Sequence, residues 1–256
     1  LDLLGKKEQC PIYSLLGDIK TTPKIAYASV LFGKTPQETF DIGKSIKEKN
    51  FRAIKFGWQN FGKNIQLDEE HLTAAREGIS DELHLMIDVG AVWGTNVEEA
   101  EKRNNLFKNS KITWLEEPFY SDAFFEYSEL YKKTNLPLAG GESCHSVESA
   151  KNMIRFGKVK FIQIDAGIAG GIIAGKEICD FAEKSEVQYV NHTFTSHLQL
   201  SASLQPYANS SKSVFAEFPQ QLKPLAWDLT VNHINLDENG NINLPEEIGH
   251  GMQINP

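Results

Sequence analysis

Seven ionisable side chains fall at the same place in successive stretches of this sequence. Lys55, Asp88, Glu116, Glu142, Asp165, His192 and Glu217 each stand at or just beyond the end of a short apolar or β-branched run. The intervals between them are 33, 28, 26, 23, 27 and 25 residues. One acid at the end of a strand is ordinarily a helix cap, and a lone lysine or histidine there is ordinarily solvated or packed. A series of seven is hard to attribute to solvation. Asp88, Glu116 and Glu142, from three consecutive runs, would repel one another strongly if gathered without a cation between them. Three carboxylates with room left for water are what Mg²⁺ prefers, whereas Zn²⁺ would recruit histidine or cysteine.

The elements that must position these groups are legible as alternating short and long segments. KIAYASV, RAIKF, LHLMIDV, ITWLEEP, LPLAGGE, KFIQIDAG, VQYVNH and VFAEF read as eight strands separated by amphipathic stretches, the pattern of βα units and a parallel sheet. Thr35, Pro36 and Glu38 form a capping-box signature, after which Phe40, Gly43 and Ile46 give the helix an inward face. Asn96 and Glu99 repeat the cap before EEAEKRNNLF. Right-handed crossovers would put every helix outside, so eight such units close into a barrel whose strand ends meet at one mouth. An open doubly wound sheet is the competing topology. Beyond Glu217 the pattern changes to LTVNHINLDENGNINLP, a strand pair around the Asn239-Gly240 turn signal.

Bulk properties narrow the function further. A formal net charge of -8 argues against a nucleic-acid partner, which needs a basic footprint, and favours a small molecule. Cys10, Cys144 and Cys179 form no CxxC pair, so a reducing compartment, by default the cytoplasm, is expected. The most apolar stretch, FIQIDAGIAGGIIAG, is short and interrupted by Asp165, and implies no membrane span.

The segments FRAIKFGW, LMIDVG, TWLEEPF, AGGES, IQIDAGIAGG, the VNH run and AEFP occur in the order and spacing of the enolase superfamily. The chain resembles the mandelate racemase subgroup (mandelate racemase/muconate lactonizing enzyme-like) over essentially its whole length, and the combination of LMID, WLEEP and GE is more specific than any one of them. This resemblance implies an α/β fold, a TIM-type (β/α)7β barrel. It implies Mg²⁺ held by Asp88, Glu116 and Glu142, with Glu117 orienting the metal site. Lys55 matches the first lysine of a K-x-K motif, Asp165 and His192 an Asp-His dyad, and Glu217 the acid of the last strand. The implied chemistry is abstraction of the proton α to a carboxylate through a metal-stabilised enediolate. His192 would be the base, Lys55 would add positive charge, and a protonated Glu217 would add a hydrogen bond.

Two departures shape the expected reaction. Gly57 stands where the family's second lysine would be, so the base opposite the histidine is missing and one-sided chemistry is favoured. Dehydration of an acid sugar to a 2-keto-3-deoxy acid is then the leading expectation. A racemase or epimerase of a hydroxy acid is the enzyme alternative, and a truncated, non-catalytic metal-binding barrel is the alternative outside catalysis. His145, three residues after Glu142, is a candidate substrate contact with an equally good reading as a loop residue. The second departure is at the start. Residues 1–22 read as the remnant of an N-terminal α+β capping domain, largely absent here, followed by the barrel at 23–220 and a C-terminal tail at 221–256 whose hairpin would pack on the cap. The expected partner is a small-molecule carboxylate, and a homo-oligomer is compatible with the resemblance.

Overall fold

A computed structural model describes residues 1–220 and 222–256; residue 221, where the C-terminal tail was expected to begin, lies outside the described residues. The strands are β1 (Lys24–Leu31), β2 (Ala53–Gly57), β3 (His84–Asp88), β4 (Ile112–Glu116), β5 (Leu138–Gly140), β6 (Phe161–Ile164), β7 (Gln188–Asn191), β8 (Phe215–Pro219) and β9 (Asn241–Ile242). Before β1 come α1 (Asp2–Glu8) and α2 (Ile12–Leu15). Between the strands run α3 (Pro36–Glu48), α4 (Ile65–Ile79), α5 (Val97–Lys102), α6 (Asn104–Asn109), α7 (Phe124–Thr134), α8 (Val147–Asn152), α9 (Ile172–Lys184) and α10 (His197–Leu204). After β8 comes α11 (Pro224–Asp228). The strand order β7-β6-β5-β4-β3-β2-β1-β8 is that of a nearly closed barrel of eight strands, not of a doubly wound sheet. No helix among the described residues is long and apolar enough to cross a membrane.

The chain divides into two compact units. One comprises Tyr27–Gly141 and Asn152–Ile162. Its strands pair in parallel, and the register sets Gly57 beside Asp88 and Asp88 beside Glu116. All five residues of β2 are buried, as expected of a strand covered on both faces. Thr35 caps α3 by accepting from the Glu38 N–H at 3.2 Å, with Pro36 in the first helical turn. The inward stripe of α3 is Thr39, Gly43 and Ile46, not Phe40, Gly43 and Ile46: Phe40 is half-buried. Thr39 takes the buried place because its hydroxyl meets His71 Nδ1 at 2.8 Å, and positions i, i+4 and i+7 share a helix face. Glycine is required where α4 meets α3, since a Cβ on Gly78 would lie 2.5 Å from the Phe40 carbonyl oxygen.

The second unit comprises Leu1–Ala26, Glu142–Lys151 and Gln163–Pro256. Here the Asn191 side chain, at the end of β7, accepts from the Glu217 N–H at 3.0 Å and donates to the Glu217 carbonyl at 3.3 Å, stitching β7 to β8. The expected C-terminal strand pair is reduced. β9 has two residues and pairs antiparallel with β1, and its hairpin partner survives as a single bridge between Leu236 and Ile242. The cause is local: Asp237 Oδ1 accepts the N–H groups of Asn239 and Asn241, and this side-chain turn takes the place of a longer ladder.

Candidate active site

In the first unit three of the seven charged residues meet. Lys55 Nζ donates to Glu116 Oε1 at 2.5 Å and lies 3.8 Å from Asp88 Oδ2. Side-chain exposures of 4% for Lys55, 5% for Asp88 and 0% for Glu116 make this a charge cluster almost removed from water. Such a cluster persists only if every charge is met. The other Glu116 oxygen accepts from Trp114 Nε1 at 2.9 Å, Asp88 Oδ1 accepts the Gly90 N–H at 2.9 Å, and the ammonium lies 5.6 Å from the Tyr27 ring centroid. Glu117 is buried with φ 43°, and its Oε1 accepts the Gly141 N–H at 2.9 Å, fixing the residue that precedes Glu142. A Cβ added to Gly57 would meet Leu31 at 3.3 Å and Asp88 Oδ2 at 3.8 Å, so a second lysine there would start beside the same carboxylate.

In the second unit the imidazole of His192 lies between two carboxylates. Nδ1 is 3.2 Å from Asp165 Oδ2, and Nε2 is 3.3 Å from Glu142 Oε2. Each ring nitrogen thus has a carboxylate oxygen within reach. Burial pushes the Asp165 carboxyl up, but the hydrogen bond and charge of His192 and the N–H groups of Gly167 and Ile168 outweigh it, leaving its pKa below the ordinary value. Glu217 is buried, and its Oε2 accepts the Thr193 N–H at 2.8 Å.

His145 is exposed in the loop before α8. Sequence reasoning passed over Gln199 on α10, which donates to Asp165 Oδ1 at 3.0 Å, and Phe194, whose ring lies 5.4 Å from that of His192. Neither had a signal: a glutamine in a first helical turn reads as solvated, and Phe194 as a loop aromatic.

The oxygen donors of Asp88 and Glu116 suit a hard divalent cation, and the Lys55 ammonium already seated against both shows that this pair attracts positive charge. Among the described residues, no three His, Cys, Asp or Glu side chains stand together as a ready-made metal set. Glu142, the third expected ligand, is engaged with His192.

A model of the enolase C-terminal domain-like family matches residues 41–256. The chain belongs to that family. Its fold superposes over 99% of its length on a Rhodobacter sphaeroides structure described as a predicted mandelate racemase, with a TM-score of 0.96 and 40% identity, and covers 65% of that chain. Among curated relatives, arabinonate dehydratase of Saccharolobus solfataricus is 25% identical over 258 residues, covering 99% of this chain and 67% of the relative. The N-succinyl-L-Arg/Lys racemase of Bacillus cereus is 23% identical over 255 residues, with the same coverage of 99% and 67%. This enolase-type chain therefore spans about two thirds of the length of these three relatives, and its curated relatives include both dehydratases and a racemase.

Proposed function

We propose that this chain is the barrel of a Mg²⁺-dependent lyase that removes the proton α to the carboxylate of an acid sugar and expels the β-hydroxyl, yielding a 2-keto-3-deoxy acid. The observation that carries the reading is the 3.2 Å contact between His192 Nδ1 and Asp165 Oδ2, an imidazole oriented by a carboxylate as a general base requires. Asp88, Glu116 and Glu142 would hold the metal, which supplies positive charge to offset the negative charge that develops on the substrate carboxylate. Lys55, held within the Asp88 and Glu116 pair, adds a fixed cation to the same end of the reaction.

His192 Nε2 accepts the α-proton once Glu142 has left it, Asp165 stabilising the imidazolium that results. The electron pair of the broken C–H bond passes first into the substrate carboxylate and then returns to form the Cα–Cβ double bond as the Cβ–O bond breaks. The departing hydroxyl takes a proton from His192 and leaves as water, and the enol tautomerises to the 2-keto acid. Gly57 supports elimination over racemisation, because it leaves no lysine at the position from which a second base would act. The racemase reading has in its favour the Bacillus cereus relative of that name and the Rhodobacter sphaeroides structure described as a predicted mandelate racemase.

The test is incubation of the Mg²⁺-loaded protein with a panel of aldonates and aldarates, assayed for 2-keto acids. Elimination on one or more sugars is the expected result. Racemisation, or solvent deuterium exchange without elimination, would overturn the dehydratase reading. No exchange on any hydroxy acid would favour a barrel that binds metal without turnover.

A further inference from the structure

The carboxylate of Asp165 is held from more directions than its pairing with His192 requires. Oδ2 faces His192 Nδ1, while Oδ1 accepts two donors, the Gly167 N–H at 2.8 Å and Gln199 Nε2 at 3.0 Å. The two contacts on Oδ1 come from different places. Gly167 belongs to the turn that follows β6 and moves with Asp165 itself, so it cannot anchor the carboxylate to the rest of the site. Gln199 belongs to α10, where its own N–H is fixed by the cap residue Ser196 at 3.2 Å. It is the contact that ties the acid to the helix following the His192 loop.

Packing leaves the amide little room to settle elsewhere. A Cβ added at Gly167 would lie 3.0 Å from Asp165 Oδ1 and 3.1 Å from Gln199 Nε2, so turn, carboxylate and amide already touch. The orientation of the amide follows from chemistry, because only the nitrogen can donate to a carboxylate whose pKa is held low.

We infer that Gln199 is a positioning residue for the Asp165-His192 pair: its amide pins Oδ1 and so keeps Oδ2 turned toward Nδ1. Without it the carboxylate is held on that side only by the N–H groups of its own turn, Gly167 and Ile168, and the imidazole loses the tie that fixes its partner to α10. The inference rests on His192 as the base, yet it concerns a hydrogen bond present without substrate.

The experiment is proton NMR of the full chain, reading the downfield, exchange-protected imidazole N–H resonance that disappears in His192→Asn. The wild type should show this signal. Gln199→Leu should lose it or broaden it beyond detection, with thermal unfolding confirming a folded chain. Gln199→Glu, which keeps the shape of the side chain and removes the donor, should lose it as well, and it supplies the answer should the leucine variant fail to fold. Persistence of the signal in either folded variant would overturn the inference, and so would its absence from the wild type. On a sugar that the wild type turns over, Gln199→Glu should lower kcat about tenfold with KM little changed, the size of effect typical of groups that orient a reacting imidazole. A signal that depends on Gln199 in a protein that turns over no sugar acid would sink the proposed reaction and leave the positioning role standing.

Discussion

Lys55, Asp88 and Glu116 lie within strands, whereas Glu142, Asp165 and His192 lie on the segments that follow β5, β6 and β7. The strand-borne set is placed by backbone register, Asp88 being the partner of both Gly57 and Glu116, and its side chains are at most 5% exposed. The loop-borne set keeps 12% exposure at His192, 11% at Asp165 and 33% at Glu142. Each arrangement follows from its chemistry. Charges met by rigid partners can be buried, while the proposed acid-base pair, which would exchange a proton with a substrate, has to be reachable. The first set therefore relies on the sheet for its geometry. The second relies on α10 and its glutamine.

That contrast is exposed first by removing the proposed base. His192→Asn should lower turnover of a sugar acid by about 10²–10⁴-fold, the usual contribution of a positioned general base. The check is the rate of 2-keto acid formation and of solvent deuterium incorporation, and a residual rate near wild type would move the base elsewhere. Next in size is Lys55→Met. Leaving two buried carboxylates without their cation should cost about 3–5 kcal/mol of stability, read from urea unfolding without metal. Glu142→Gln, in the more open set, should change stability by no more than about 1 kcal/mol. Equal losses in the two variants would erase the distinction between buried and reachable charge.

Metal sharpens the same contrast. Magnesium at about 100 times its dissociation constant should stabilise the wild type by roughly 2.7 kcal/mol through mass action, seen as a rise in Tm of several degrees that chelation reverses. Asp88→Asn combined with Glu116→Gln should abolish the rise. An undiminished rise in that double variant would place the cation away from the strand-borne acids.

Much of this was written in the sequence because strand ends recur. Asp88, Glu116 and His192 could be singled out since each closes an apolar run at an interval set by a βα unit, and the observed strands end at or beside all of them. What could not be read depends on which side chain turns toward which. Thr39 displaces Phe40 from the inward face of α3 because of a hydroxyl contact with His71, a residue 32 positions away. The buried pair of Arg103 and Asp68, 2.7 Å apart, looks in the sequence like two ordinary surface charges on different helices. Gln199 is invisible for the same reason, its role being set by an acid 34 positions earlier. Even the 3.3 Å contact of Glu142 with His192 has no trace in the sequence, where the two stand far apart.

The smallest expected effect concerns the helix that carries Gln199. His197 opens α10, is 2% exposed, and accepts the Ile234 N–H at Nδ1, with Trp227 and His233 packed against its ring. Burial, and to a lesser degree the neighbouring His233, pushes its pKa down to about 4. A histidine kept neutral in the fold but free to charge when unfolded adds stability that is whole above pH 6.5, the ordinary value, and is lost as pH falls through about 4. The loss should be on the order of 1–3 kcal/mol. Urea unfolding between pH 7 and 4 should therefore show a slope that His197→Gln flattens, glutamine having no proton to gain. An unchanged slope in His197→Gln would mean that acid acts first elsewhere in the fold, and α10 would lose its place in the comparison.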